Sequence, residues 1–161
     1  MRREHLVPRC RSPPTIRSDL TLAPETIRAA TKETLDSDLH RITGGIHLVG
    51  LFDAEGRAIR IAEDIGRHNA LDRVVGHGLL EQIDFSRTFA VSSGRISSEM
   101  VRKCLVANIP VIVSRGGDDH HRRRGRRGGR AHDRRFVRSK KMNIYTGWER
   151  VRGASQATAG E

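Results

Sequence analysis

Glu63, Asp64, Arg67, His68, Asn69 and Asp72 place six hydrogen-bonding side chains within ten residues, around Gly66. A short apolar run, Arg60-Ile61-Ala62, precedes them and reads as the end of a strand. Leu71, Val74, Val75 and Leu79 follow at three- and four-residue spacing, the pattern of an amphipathic helix. The polar groups therefore crowd a strand-to-helix junction. A helix start offers unpaired backbone N–H groups and a partial positive charge. With Gly66 to let a ligand approach the backbone and Arg67 to supply a full charge, the junction is suited to an anion. The competing explanation is helix capping with surface ion pairs. Six groups are more than a cap needs.

The arrangement recurs once. Phe89-Ala-Val-Ser-Ser-Gly-Arg-Ile-Ser-Ser-Glu-Met-Val101 runs from an apolar strand through Ser93-Gly94-Arg95 into a helix. Ser97 or Ser98 suits the N-cap, and Glu99 and Met100 open the first turn. The two junctions can face one place if their strands are neighbours in a parallel sheet, since ligand crevices of open α/β sheets lie beyond the carboxyl ends of the strands.

Other elements must position these junctions. Pro24 at a first helical position, followed by Glu25, starts a helix with Ile27, Leu35, Leu39 and Ile42 on one face, and Gly44-Gly45 ends it. Residues 46–52 and 57–62 read as a hairpin around the Asp53–Gly56 turn. The junction helix extends to about Gln82. A strand over Thr88–Ser92, a helix over Ser97–Ala107 and a strand over Pro110–Ser114 follow, with a short strand at Asn143–Tyr145. Strand, helix and strand in succession make a parallel crossover, hence an α/β layered sheet. The chain divides into an extended arm over 1–21, a domain over 22–151 and a small-residue tail over 152–161.

Composition sets further bounds. At 161 residues the chain is one domain's worth. Its net charge of +11 and pI of about 11.2 suit a polyanionic partner. Only 4% of residues are aromatic, so platforms for stacked bases are scarce. Two separated cysteines form neither a disulfide framework nor a zinc set. No run of eighteen apolar residues offers a membrane span, and no apolar signal region follows Met1, which makes the cytoplasm the expected location. A zinc deaminase would need His-x-Glu and Pro-Cys-x-x-Cys at the two helix starts. Gly-Arg-His-Asn and Ser-Gly-Arg-Ile-Ser stand there instead.

Four motifs in order, Thr43-Gly-Gly-Ile-His47, Glu63-Asp-Ile-Gly-Arg-His-Asn-Ala70, Ser93-Gly-Arg-Ile-Ser97 and Phe136-Val-Arg138 with Asn143-Ile-Tyr145, resemble the FdhD/NarQ family of formate dehydrogenase accessory proteins. The resemblance runs from about Leu22 to about Val151. It implies a cytoplasmic sulfurtransferase and homodimer that takes persulfide sulfur from a cysteine desulfurase. That sulfur goes to the molybdenum of the bis-molybdopterin guanine dinucleotide cofactor of formate dehydrogenase. It also implies a layered α/β/α sheet similar to the cytidine deaminase-like fold. By the same resemblance Phe136, Val137, Arg138, Ser139, Lys140 and Lys141 contact the guanine dinucleotide. Gly66, Arg67, His68, Asn69, Ser93, Gly94 and Arg95 join them as cofactor-binding residues. Arg138, Lys140 and Lys141 suit phosphate contacts, although taken alone they read as a basic exposed turn.

The chain departs from the family pattern twice. The family's reactive Cys-x-x-Cys, in which one thiolate attacks a donor persulfide and the second thiol resolves the exchange, does not occur in this sequence. By the resemblance it would lie upstream of Met1. Cys10 stands alone among arginines and is a weak candidate for a sulfur carrier. Cys104 lies on the apolar stripe with Met100, Val101 and Leu105 and reads as a core residue.

The second departure is residues 117–135, with eight Arg and three Asp and no aliphatic side chain larger than Ala131. They suit a nucleic-acid-binding arm, a disordered insertion or a frame-shifted stretch of a GC-rich gene. His120, His121 and His132 beside Asp118, Asp119 and Asp133 lack regular metal-ligand spacing. The genetic code favours the frame-shift. Regrouping permitted codons by one base gives Ala-Thr-Thr-Thr-Ile-Ala-Val-Glu-Asp-Ala-Glu-Glu-Ala-Gly-Leu-Thr-Ile-Val-Gly, of equal length, which reads as a helix, a glycine stop and a β-branched strand. As written, the segment is expected to leave the sheet incomplete, short of a strand and a helix, with the strands at 88–92 and 110–114 partly uncovered. Two functions therefore stand: the sulfurtransferase accessory protein, inactive where its Cys-x-x-Cys is absent, and a basic nucleic-acid-binding protein using the Arg run.

Overall fold

The computed structural model describes residues 14–115, 133–138 and 141–154. Helices α1 (Pro24–Thr34) and α2 (Asp38–Thr43) come first, then the hairpin of β1 (His47–Asp53) and β2 (Ala58–Asp64). Helix α3 (Arg67–Leu80), strand β3 (Thr88–Ser92), helix α4 (Ser98–Val106) and strand β4 (Val111–Ser114) follow. Strands β5 (Asp133–Arg138) and β6 (Lys141–Ile144) complete a six-stranded sheet of order β2-β1-β3-β4-β5-β6. Strand β1 is antiparallel to both neighbours, β3, β4 and β5 are mutually parallel, and β6 turns back antiparallel to β5. Strands β2, β3, β4 and β5 thus point the same way, and their carboxyl ends share one edge of the sheet.

Period-two alternation in the strands separates two cores. On one face Val49, Leu51, Ala90 and Ile112 pack against Ala70, Leu71 and Val74 of α3 and Met100, Val101 and Cys104 of α4. On the other Phe52, Phe89, Val91, Val111 and Val113 meet Ile27 and Ala30 of α1, with Leu20, Leu22 and Val151. The result is the layered α/β/α sheet expected. Residues 17–22 run along the second face: Leu22 forms a parallel bridge with Val151, and the Arg150 guanidinium donates to the carbonyl of Ser18 at 3.0 Å.

Three expectations are corrected. The single helix through Ile42 is two helices, because the Ser37 hydroxyl accepts from the His40 N–H at 3.1 Å and caps a new start. Leu39 and Ile42, placed by spacing on a buried face, are 45% and 81% exposed. The sheet does not lack a strand after β4: the residues from Asp133 pair with it, Val111 opposite Asp133 and Ser114 opposite Phe136. Nor are β3 and β4 uncovered. All their residues are buried, because α1, residues 20–22 and Val151 cover the face opposite α3 and α4.

Candidate functional site

The two Gly–Arg junctions converge, although their strands are not neighbours. Strand β1 lies between β2 and β3. Because it is antiparallel to both, it leaves them pointing the same way, so α3 and α4 open at the same sheet edge and on the same face.

The contacts there are direct. The hydroxyl of Ser97, the N-cap of α4, lies 3.3 Å from His68 Nε2 in the first turn of α3. Glu99 Oε2 lies 3.7 Å from His68 Nδ1. Gly94 sits under His47 and Arg67: a Cβ built there would stand 2.8 Å from His47 Nδ1 and 3.6 Å from Arg67 Cδ. Only a residue without a side chain allows this approach. The Ser93–Arg95 loop is fixed on both flanks. Ser93 and Leu48 exchange hydrogen bonds, Ser93 N–H to the Leu48 carbonyl and Leu48 N–H to Ser93 Oγ, each 2.9 Å. The Ser114 hydroxyl donates to the Gly94 carbonyl at 2.8 Å. Strand β4 thereby positions the loop that β3 feeds.

Some of the polar residues at the first junction are accounted for structurally. Asp64 Oδ1 accepts from the Gly66 N–H at 2.9 Å and from the Asn69 amide at 3.2 Å. The Gly66 hydrogen bond, with help from Asn69 and Arg73, holds the Asp64 carboxyl below the usual carboxylate range. Glu63 accepts from the Ser37 hydroxyl at 2.6 Å. Asp72 pairs with Lys103 at 2.5 Å, joining α3 to α4. For Glu63, Asp64 and Asp72 the capping and ion-pair explanation holds. Arg67 and His68 face the second junction, and Asn69 serves the Asp64 cap.

His47 was not singled out by type and spacing as a site residue. Its place depends on β1 pairing with β2 on one side and β3 on the other, which no local pattern announces; the Gly44-Gly45 pair before it is the only local signal. Burial lowers the His47 pKa from its ordinary value, and the Arg67 guanidinium and then His40 lower it further. Its ring is therefore neutral at neutral pH and can accept or donate one hydrogen bond. Arg67, neutral His47 and two helix starts together form a site suited to an anion.

The remaining candidates divide by position. Phe136, Val137 and Arg138 form the carboxyl end of β5, at the same sheet edge, and Lys141 opens β6 opposite Arg138. Ser139, Lys140 and Cys10 lie outside the described residues. Arg95 is exposed beside Gly94. Cys104 is buried in α4 against the sheet, and burial pushes its thiol up to about 12, so it holds no thiolate near neutral pH.

Comparison with known proteins gives the family and the overall fold. The family model described as the FdhD/NarQ family matches residues 3–152. A sulfur carrier protein FdhD from Methanothermobacter thermautotrophicus is 35% identical over 140 residues, covering 83% of this chain and 54% of that protein. One from Thermoplasma volcanium is 56% identical over 72 residues, covering 45% of this chain and 26% of that protein. The chain therefore spans about half or less of the length of these relatives. The crystal structure of a protein described as a candidate formate dehydrogenase accessory protein, from Desulfotalea psychrophila, matches with a TM-score of 0.72 and 30% identity, over 85% of this chain and 59% of that one. The family match, the related sequences and the shared overall fold agree, and the chain belongs to the FdhD/NarQ family.

Proposed function

We propose that this chain is the cofactor-binding body of a sulfur carrier that serves formate dehydrogenase. The observation that carries the reading is the convergence of α3 and α4 on one crevice, with Ser97 against His68 and Gly94 against His47 and Arg67. In this reading the crevice holds the phosphates of the bis-molybdopterin guanine dinucleotide, the client enzyme's cofactor and here a cargo. Gly66 and Gly94 let phosphate approach the backbone. Arg67 and Arg95 supply charge-assisted hydrogen bonds, and His68 and Asn69 take polar positions at the rim. By the family resemblance Arg138 and Lys141, placed by β5 and β6 at the same sheet edge, serve the guanine dinucleotide. The sulfur comes from a cysteine desulfurase and travels as a persulfide on a Cys-x-x-Cys. The residues printed here contain no such motif, so they supply the binding half of the reaction.

The reading has a direct test. Incubated with a cysteine desulfurase and labelled cysteine, the chain as printed is expected to hold no stable persulfide. The same chain preceded by a Cys-x-x-Cys segment is expected to become labelled. A reducible persulfide on Cys10 of the printed chain, or no labelling of the extended one, would overturn it.

A further inference from the structure

His68 is held in a way that anion binding does not use. Its Nδ1 is sealed from solvent and has no hydrogen-bond partner within 3.5 Å, while Glu99 Oε2 stands 3.7 Å away. A buried polar nitrogen left in that state calls for an explanation. Its other nitrogen, Nε2, is 3.3 Å from Ser97 Oγ. The Ser97 hydroxyl already accepts from the Met100 N–H at 3.3 Å as the N-cap of α4. One lone pair is thus occupied, and the hydroxyl proton is left to point at His68. The matching tautomer puts the ring proton on Nδ1, facing Glu99, and leaves Nε2 as the acceptor. Hydroxyl, imidazole and carboxylate in this order are the parts of an activated serine nucleophile, and such contacts are commonly long before substrate binds.

We propose that Ser97, His68 and Glu99 form a nucleophile–base–acid relay that cleaves an acyl ester or thioester carrying negative charge. Ser97 Oγ bonds to the carbonyl carbon and its proton passes to His68 Nε2. The bond from that carbon to the leaving oxygen or sulfur breaks, and the leaving group takes the proton back from His68. Water then attacks the acyl-serine, its proton passing by way of His68 to Ser97 Oγ as that ester bond breaks. No oxidant or reductant is required. Because the Met100 N–H is taken by Ser97 Oγ, the N–H groups of Ser98 and Glu99 are the first-turn donors left for the developing oxyanion. Arg67, one residue before His68, favours a negatively charged substrate. Glu99 sits on the open side, its side chain 68% exposed, and orients the imidazole. This activity does not rest on the sulfur-carrier reading.

The test uses the full chain, a biotinylated fluorophosphonate and peptide mapping by mass spectrometry, with circular dichroism to confirm folding. The phosphorus adduct is expected on Ser97, with fluoride released. Ser97→Asn, which keeps a capping oxygen but no hydroxyl, is expected to lose it. His68→Gln is expected to slow labelling by roughly 10²-fold, the usual contribution of a positioned base. Ser98→Ala, one residue away, is expected to label like the parent. Nitrophenolate release from p-nitrophenyl succinate should follow the same order. No Ser97 adduct on the folded parent, or equal rates in the parent and His68→Gln, would overturn the proposal; the second comparison decides even if Ser97→Asn fails to fold.

Discussion

Replacing Phe89 with Ala is expected to remove about 3–5 kcal/mol of stability, the usual cost of emptying a buried phenylalanine site. Phe89 is fully buried in the middle of the sheet. Its ring stacks on Phe52 with centroids 5.4 Å apart and an interplanar angle of 23°. The same cluster holds Ile27, Val91 and Val111, so the cavity would be walled by α1 and two neighbouring strands and could collapse only partly. A domain of this size holds a margin of about 5–15 kcal/mol, and the midpoint of thermal unfolding should fall by roughly 6–20 °C. Because β3 leads directly into Ser93-Gly94-Arg95, the loss should also loosen the junction with α3. Urea melts of the parent and Phe89→Ala check this. A loss below about 1 kcal/mol would mean that the two rings are not packed as described.

The second large effect is a gain. Strand β4 is buried along its whole length, yet its parallel neighbour begins Asp133-Arg134-Arg135. Charged residues beside a fully buried strand contradict the pattern of parallel sheets, whose strands read as continuous apolar runs. The regrouped codons place Ile-Val-Gly at those three positions, which puts two β-branched apolar residues opposite Val111 and Ile112. Two β-branched apolar side chains contribute about 1.5–3 kcal/mol each when buried. Replacing residues 117–135 by the regrouped peptide is therefore expected to stabilise the chain by roughly 3–6 kcal/mol. Melting both versions side by side by circular dichroism decides the matter. If the printed chain melts cooperatively and as high as the replaced one, the Arg-rich segment is a tolerated feature and the frame-shift reading is wrong.

Much of this architecture was legible because local signals and tertiary demands agreed. Strand β3 was bounded correctly by its apolar run, and Ser97 by its place before Glu99 and Met100. Where they disagreed, tertiary contacts prevailed. Ile27, Leu35, Leu39 and Ile42 share a helical face on paper, but Ser37 hydrogen-bonds both the His40 N–H and Glu63, which ends one helix and starts another. Leu79 matched the α3 stripe and is 65% exposed, since the buried face of the helix runs through Ala70, Leu71, Val74 and Gly78 and Leu79 lies one residue off it. At the site, both Gly–Arg junctions could be found by residue type. How they meet could not, because it depends on an antiparallel β1 placed between the two strands that feed them. His47 reaches the crevice by the same strand, and its role is a property of the sheet order.

The crevice between the starts of α3 and α4 is proposed to bind the phosphates of a guanine nucleotide. Calorimetric titration of guanosine diphosphate into the parent chain, Arg67→Ala and Arg95→Ala tests it most directly. Each substitution is expected to weaken binding by about 1.5–3 kcal/mol, the worth of a charge-assisted hydrogen bond, with the fold intact by circular dichroism. Equal affinity in the parent and both variants, or no binding by the folded parent, would contradict the claim.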